Sequence, residues 1–514
     1  MDPGRKSSPP NFFNTFLLSF NEEDKVSLRK FGIFIIQPIK RPLFNYPSFI
    51  KTLNTFRVEL HTVNWLNHAL PSKKKKKAKS NQDETDKMTF QSKYVESTSL
   101  VIDRDPESLK KLMEFICISL FKVFVSNNAS LNNLRIKIDN SCGQFLFETC
   151  EIISHNPRFI SDVEILNLEF DHLDLKLKLI QPFLESLPSF FSSIKHFNFC
   201  SNYYDETLSN DITNIIQSQK QLLSFSLSFT YNNVNALYPS KNLTSVHFFK
   251  CDFANLLSCE GHFGQTKLKS LSFMRCKGLT AQVFQQLFVI PTPFTPLKIK
   301  SLRVEDECSG IGLLIQEFGP YLEYLDLKLW EIADRKIALE SIINYCDRIQ
   351  YLCLAKFNHE NIPQIYKLIA HNSQNLKYLT LHPTNVDGLQ VSSSLLKGLG
   401  PTLPDSLEYL NLCLNVVPND LYNFLCNIMH VGLKSLLAKN NHVCDVDTTF
   451  GVLKEFVMEK KIKHFAYHVN GYFNAKNLEH CKLDHLVNEF QHFAVMKRYG
   501  DLALGISDFD DNLY

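Results

Sequence analysis

One six-residue phrase constrains this chain more than any other feature. "LEYLDL" at Leu322 returns as "IQYLCL" at Ile349, "LKYLTL" at Leu376 and "LEYLNL" at Leu407. Its skeleton, apolar-x-x-apolar-x-apolar, can be followed as a series of thirteen spaced copies from Leu131 to Ile462. The first copies are Leu131-Leu134-Ile136, Val163-Leu166-Leu168, Ile194-Phe197-Phe199, Leu222-Phe225-Leu227 and Leu243-Val246-Phe248. Then come Leu268-Leu271-Phe273, Ile299-Leu302-Val304, Leu322-Leu325-Leu327, Ile349-Leu352-Leu354 and Leu376-Leu379-Leu381. Leu407-Leu410-Leu412, Leu433-Leu436-Ala438 and Ile462-Phe465-Tyr467 complete the series. The last three positions alternate with the period of a half-buried strand. The mean spacing is about 28 residues, the signature of stacked supersecondary units that no single copy could stabilise alone.

Three residues after the third apolar position, leucine-rich repeats favour Asn or Cys, whose side chain ties down backbone groups as the chain leaves the strand. Here those places hold Asn202, Cys251, Cys276, Asn415, Asn441 and Asn470. Between phrases the period becomes helical. "RKIALESIINYC" aligns Leu339, Ile342, Ile343 and Cys346, and "NIPQIYKLIAHN" aligns Ile362, Ile365, Tyr366 and Ile369. "DTTFGVLKEFVMEKK" aligns Phe450, Leu453 and Val457, with Asp447 placed to cap the helix. The expected fold is an α/β leucine-rich-repeat solenoid, a ribonuclease-inhibitor-like horseshoe with irregular repeats and a helical N-terminal segment. Strands would line its inner curve as a sheet on the order of 60 Å long.

Composition agrees with a folded chain: 44% of the 514 residues are hydrophobic and 21% charged. Phenylalanine, at 42 residues, stands in for leucine in several phrases without changing the pattern. The formal net charge is +2, and Lys73–Lys77 with Lys79 contribute six of the positive charges in one run, so no basic face is spread over the array and no nucleic-acid partner is expected. The 14 cysteines include no CxxC pair, which argues for reduced, buried side chains rather than a zinc site. His464 and His468, which flank Tyr467, read as sheet residues rather than metal ligands. No apolar stretch is long enough to span a bilayer, and the start, "MDPGRKSSPP", lacks the apolar run of a secretory signal. The expectation is an intracellular chain, cytoplasmic or nuclear, with no membrane partner.

The domain reading follows. Residues 1–70 form a helical segment, 71–98 a Lys-rich disordered insert, and 99–130 a helical N-terminal cap led by "DPESLKKLMEFICISLFKVFV". Residues 131–470 are the repeat array, and 471–514 a cap helix with an acidic tail. The lysine run has the composition of a nuclear localisation signal and equally of a solvated loop.

Function is expected on the inner strand face, where side chains alternate away from the leucine core. The slot before the second leucine reads Ser224, Ser245, Ser270, Ser301, then Tyr324, Tyr351, Tyr378, Tyr409. With Asp326, Lys328, Thr380, His382 and Asn411, these four tyrosines make a candidate protein-binding surface, since tyrosine offers a large contact area and a hydroxyl at low entropic cost. The same slot also permits mutual packing that stiffens the sheet. If the surface binds a partner, Tyr351→Ala with Tyr378→Ala should abolish partner capture while the fold survives. Neither a P-loop, GxSxG, HExxH nor GxGxxG occurs; "CSGIGLL" at Cys308 is the nearest glycine-rich segment. No catalytic, cofactor or metal residues are assigned, and no enzyme is expected.

The phrases "LLIQEFGPYLEYLDL", "ALESIINYCDRIQYLCL" and "LIAHNSQNLKYLTL", with "FNTFLLSFNEEDKVSLRKF" and "RPLFNYPSFIKTLN" nearer the start, resemble the F-box and leucine-rich-repeat proteins expanded in some fungi. The likeness covers roughly residues 10–500. It implies a protein target on the concave face and, through the F-box, Skp1 and cullin. In such a ligase the array would hold the target while other subunits transfer ubiquitin. The F-box helices themselves are not evident: eleven residues precede Phe12, and Trp65 lies after the segment that follows an F-box in that family. Weak or no Skp1 binding is therefore expected. The alternative is a free-standing leucine-rich-repeat scaffold or inhibitor with no ligase link. An enzyme hidden on the solenoid would need a clustered acid/base pair that the sequence does not reveal.

Overall fold

Each of the thirteen phrases folds as a strand. The computed structural model describes residues 11–35, 44–69, 95–97, 106–138, 144–171, 177–191, 193–201, 206–228, 241–254, 263, 266–288, 297–384, 388–440, 446–469 and 495–496. The chain divides into two compact units, Met1–Thr230 with Ala236–Ser240, and Tyr231–Asn235 with Lys241–Tyr514, so the division falls inside the expected array.

Unit 1 begins with helices α1 (Asn11–Leu17) and α2 (Glu22–Lys30), strands β1 (Ile33–Ile35) and β2 (Thr52–Asn54), helix α3 (Thr55–Ala69) and strand β3 (Val95–Ser97). It continues with α4 (Pro106–Ser126), β4 (Asn133–Ile138), α5 (Gln144–Ser154), β5 (Ile165–Phe170), α6 (Leu177–Phe190), β6 (His196–Ser201), α7 (Glu206–Ser218) and β7 (Ser224–Ser228). Strands β2, β4, β5, β6 and β7 pair in that order, all parallel.

Unit 2 holds β8 (Ser245–Phe249), β9 (Ser270–Met274), α8 (Ala281–Phe288), β10 (Ser301–Glu305), α9 (Ile311–Phe318), β11 (Tyr324–Lys328), α10 (Ile332–Tyr345), β12 (Tyr351–Phe357) and α11 (Ile362–His371). It ends with β13 (Tyr378–Pro383), α12 (Gly388–Leu399), β14 (Tyr409–Leu414), α13 (Pro418–Asn427), β15 (Ser435–Asn440), α14 (Val446–Lys460), β16 (His464–Val469) and β17 (Val495–Met496). Each of these strands pairs in parallel with the next.

The register explains the repeat. The second apolar residue of every phrase in unit 2 sits beside its counterpart, from Val246 and Leu271 through Leu352 and Leu379 to Leu436 and Phe465. Leu134, Leu166, Phe197 and Phe225 do the same in unit 1. All these side chains are buried, each worth about 1.5–3 kcal/mol relative to exposure. They face the helices: Leu412 and Leu436 line one small cavity with Leu421 and Leu425 of α13 and Leu453 of α14. Strand starts are fixed by shared backbone bonds. The amides of Glu323 and Tyr324 both donate to the Lys300 carbonyl, and those of Gln350 and Tyr351 to the Glu323 carbonyl. Gln219 and Asn372 bind helix ends to strands: each accepts from the amide of a phrase's first residue, Ile194 and Ile349; Gln219, just after α7, donates to the Phe191 carbonyl just after α6, and Asn372 to the Leu368 carbonyl of its own helix, α11.

The capping cysteines do as expected. The Cys251 thiol reaches the Phe249 carbonyl, and Cys276 reaches those of Phe248 and Met274. Asn202, Asn441 and Asn470 lie outside the described residues, as do residues 71–94 with the lysine run and the expected C-terminal cap helix.

Three expectations need correction. The parallel sheet of unit 1 starts at β2, well before residue 131, because Leu53 pairs beside Leu134 although Thr55 stands where the phrase wants a third apolar residue. Residues 95–97, assigned to the insert, form β3 and pair antiparallel with β1. Asp447 does not precede its helix, since α14 already includes Val446. The N-terminal segment is held by Trp65 of α3, whose indole N–H donates to Asn14 Oδ1 at 2.9 Å and whose ring lies 5.6 Å from Phe13.

Candidate functional site

Opposite the leucine side, each strand of unit 2 presents alternate residues on the face turned away from the helices. Three rows result. The first is Ser245, Ser270, Ser301, Tyr324, Tyr351, Tyr378, Tyr409 and Ser435, strand beside strand. The expected serine-then-tyrosine order is therefore a physical row, with Ser224 as the matching position of β7 in unit 1. The second row is Ser272, Arg303, Asp326, Cys353, Thr380, Asn411 and Leu437. The third includes Glu305, Lys328, Ala355 and His382.

The rows carry the nine residues named from sequence, but not in the state expected of a presented surface. Tyr351 is 1% exposed and Tyr409 4%. Asp326, Thr380 and Asn411 are also buried, while Tyr324, Lys328, Tyr378 and His382 are half-buried. Tyr324 and Tyr378 pack on Tyr351 and Cys353, and Tyr378 also packs on Tyr409, Leu437 and Ala466. The Tyr378 and Tyr409 rings stand 6.1 Å apart. Adjacent parallel strands put like residues about 4.8 Å apart, closer than two aromatic rings can stand without touching, so mutual packing dominates this slot. Tyr351→Ala is thus a packing mutation as much as a binding one, and the double alanine variant is not a clean probe of capture.

The electrostatics follow from burial. The Tyr351 hydroxyl is pushed far above its ordinary range by desolvation, then by the neighbouring Cys353 and Asp326. Burial likewise raises the Cys353 thiol. Both stay protonated at neutral pH, so neither offers an anionic nucleophile. Cys117 and Cys346 are each pushed up to about 12, also by burial. Asp326 Oδ2 lies 3.1 Å from Arg303 Nε. Glu305 binds Arg275 at 3.2 Å and Lys328 at 3.6 Å. His382 is pushed down to about 4 by burial and then by Lys356, Lys439 and Lys328. His247, hydrogen-bonded to Ser245 at 2.8 Å, falls to about 4 through burial and then Arg303.

Sequence reasoning missed this charged lattice and the apolar Leu437 and Ala466, which share the open face. A signal was available: the residue before the first-row slot reads Lys300, Glu323, Gln350, Lys377, Glu408, Lys434. Two neighbouring pairs close as ion pairs, Lys300–Glu323 at 2.7 Å and Lys434–Glu408 at 2.8 Å. Among the described residues no group of three or more His, Cys, Asp or Glu is arranged to hold a metal ion, and no helix is long and apolar enough to cross a membrane. In unit 1 the corresponding face is polar: Asn198 donates to Asn167 at 2.6 Å, His196 meets Ser224 at 2.9 Å, and Arg135 pairs with Glu169. No protein-family model matches this chain and no curated protein matches it, so its site is described by its own geometry: a helix-free strand face, aromatic and packed at its centre, charged along both edges.

Proposed function

We propose that this chain is a non-enzymatic protein-binding leucine-rich-repeat solenoid, with its strand face as the concave recognition surface. The observation that supports the reading is the unbroken register of unit 2. One phrase per strand keeps every leucine on the helix side, and leaves the opposite face as a continuous row of adjacent residues. Such a broad face with an aromatic centre suits a macromolecular partner; the two small cavities described in unit 2, among the described residues, lie mainly on the leucine side. The packed tyrosines supply a rigid floor, and contact would fall on the half-buried Tyr324, Tyr378, Lys328 and His382 at its margins. By its likeness to F-box adaptors, the array would hold a target for a Skp1–cullin ligase.

The test is site-specific photocrosslinking in cells. A photoreactive residue in place of Tyr378 should trap a protein partner that one in place of exposed Lys336 on α10 does not. Trapping only from Lys336 overturns the reading. Recovery of Skp1 with the chain would support the ligase reading, and a trapped target without Skp1 would favour the free-standing scaffold.

A further inference from the structure

Arginine stands at one core position where five other helices of unit 2 place an apolar side chain. The fourth residue of each helix is buried: Phe284 in α8, Leu314 in α9, Ile365 in α11, Val391 in α12 and Leu421 in α13, none more than 3% exposed. In α10 that residue is Arg335, itself only 7% exposed. Its Nε and Nη1 are out of contact with water and make no hydrogen bond among the described residues. A guanidinium carries five donors and no acceptor, and it stays charged. Burial disfavours that charge, and the exposed carboxylates of Glu331 and Glu360 offset this only from a distance. A buried charge without a partner is strongly destabilising. An arginine at this place, where leucine serves in α13, calls for an anion.

Arg335 lines a cavity on the helix side of β11 and β12, with Leu329, Ala338, Leu339, Phe357 and Ile365 among its walls. Measured to its mouth the space is about 280 Å³, and inside it the room for the centre of a water-sized sphere is about 20 Å³. The deeper part therefore takes a group about the size of one water, and the rest of a ligand lies toward the mouth. The cavity sits near the carboxyl ends of two parallel strands, where open parallel sheets place their ligands. The first turns of α10 and α11 both border it, through Arg335 and Ile365, so the positive ends of two helices add to the guanidinium. The matching cavity beside β14 and β15 is bordered by Leu421 instead. A void between turns thus does not itself require an arginine.

We infer that the Arg335 cavity binds a small carboxylate with a short apolar group, its oxygens held by the guanidinium fork and its apolar part laid against Leu329, Leu339 and Ile365. The planar fork has two edges, Nη1 with Nη2 and Nε with Nη2. Each contains one of the unpaired nitrogens, and either matches the two oxygens of a carboxylate. One cation among apolar walls suits a monoanion with an apolar body better than a phosphate, which needs more donors. The proposal is independent of the protein-binding reading. Two sources share this chemistry, a free short-chain acid and the carboxyl end of a peptide, and the test separates them.

Saturation-transfer NMR and the thermal midpoint of the full chain supply the readouts. Propionate stands for the free acid and N-acetylalanine for the peptide end. At least one should bind with a Kd on the order of 1–10 mM and raise the midpoint. Propionamide at the same concentration, and sodium chloride at the same ionic strength, should do neither. Tighter binding of propionate assigns the free acid, and tighter binding of N-acetylalanine the peptide end. Arg335→Leu, which copies α13, should abolish the response and raise the midpoint of the protein without ligand. Should that variant fail to fold, Arg335→Met is read in the same way. Arg335→Lys keeps the charge but loses the fork, and should weaken binding about tenfold. No binding of either carboxylate, an equal response to propionamide or chloride, or a response retained in Arg335→Leu overturns the proposal. So does a midpoint without ligand that falls in both Arg335→Leu and Arg335→Met, because water or Glu331 would then already satisfy the guanidinium.

Discussion

The two units carry the same leucine phrase and opposite open faces. In unit 1 the face is built of amides, hydroxyls and ions that bond from strand to strand: Asn198 to Asn167, His196 to Ser224, Arg135 and Lys137 to Glu169. Much of it stays in water, with the Arg135 side chain 47% exposed. In unit 2 the same register positions hold Tyr351, Cys353, Leu437 and Ala466, all buried. Parallel stacking places like beside like in both. Polar neighbours then satisfy each other and remain hydrated, whereas aromatic neighbours exclude water. The open face of unit 2 is consequently a second small core, and substitutions there should behave as core substitutions.

The largest expected effect tests that contrast directly. Tyr351→Ala should destabilise the protein by about 3–5 kcal/mol, the loss typical of a buried aromatic. His196→Ala, at the same slot of a unit 1 strand, removes one half-buried hydrogen bond and should cost about 1 kcal/mol. Equilibrium urea unfolding of the two variants decides it, and equal losses would break the comparison. The ion pairs should divide the same way. Removing Asp326 leaves Arg303 without its partner at a site where the carboxylate is 4% exposed, which should cost about 3 kcal/mol. Glu169→Ala, against the exposed Arg135, should cost under about 1 kcal/mol. High salt should shrink the second loss and leave most of the first, as read from unfolding midpoints with and without added sodium chloride.

What the sequence made legible, and what it did not, follows from the same contrast. The leucine positions obey one requirement, burial against the helices, so their pattern survives thirteen copies and even tolerates phenylalanine. Every phrase therefore became a strand in the expected place. β2 escaped because Thr55 breaks the phrase at its last position. The open face answers to its lateral neighbours, which a one-dimensional reading sees only after the register is known. Tyr324, Tyr351, Tyr378 and Tyr409 were identifiable as a row, but their burial was not, because it depends on rings from two adjacent strands and on Leu437 and Ala466. Lys356 of β12 stands 4.1 Å from the ring centre of Trp330, just after β11, a side-chain contact that the repeat does not announce.

Acid should act through the unit 2 face. His247 is held at about 4 by burial and by Arg303, below the roughly 6.5 of an unfolded histidine. The unfolded chain takes up the proton first, so this side chain's contribution is complete above about pH 6.5 and is lost as pH falls toward 4. His247→Gln should flatten the decline of the thermal midpoint over that window relative to the wild-type protein. A difference between the two that stays constant from pH 7 to pH 4 would show that His247 titrates alike in both states.

The smallest effect is the most specific to a dry face. Ser270 and Ser301 are register neighbours in the first row, both residues are 1% exposed, and neither hydroxyl makes a hydrogen bond among the described residues. A buried donor without a partner costs about 1–3 kcal/mol of desolvation, so deleting it should not weaken the fold. Ser301→Ala should leave stability unchanged or raise it by up to about 1 kcal/mol. Ser224→Ala, at the equivalent slot of unit 1, removes the partner of His196 and should lower it by about 1 kcal/mol. The two substitutions are chemically identical and occupy the same register position. Opposite signs in paired unfolding curves would therefore isolate the one variable that separates the faces, whether water reaches them. A clear loss at Ser301 would mean that its hydroxyl is hydrated, and that the unit 2 face is wetter at its serine end than at Tyr351.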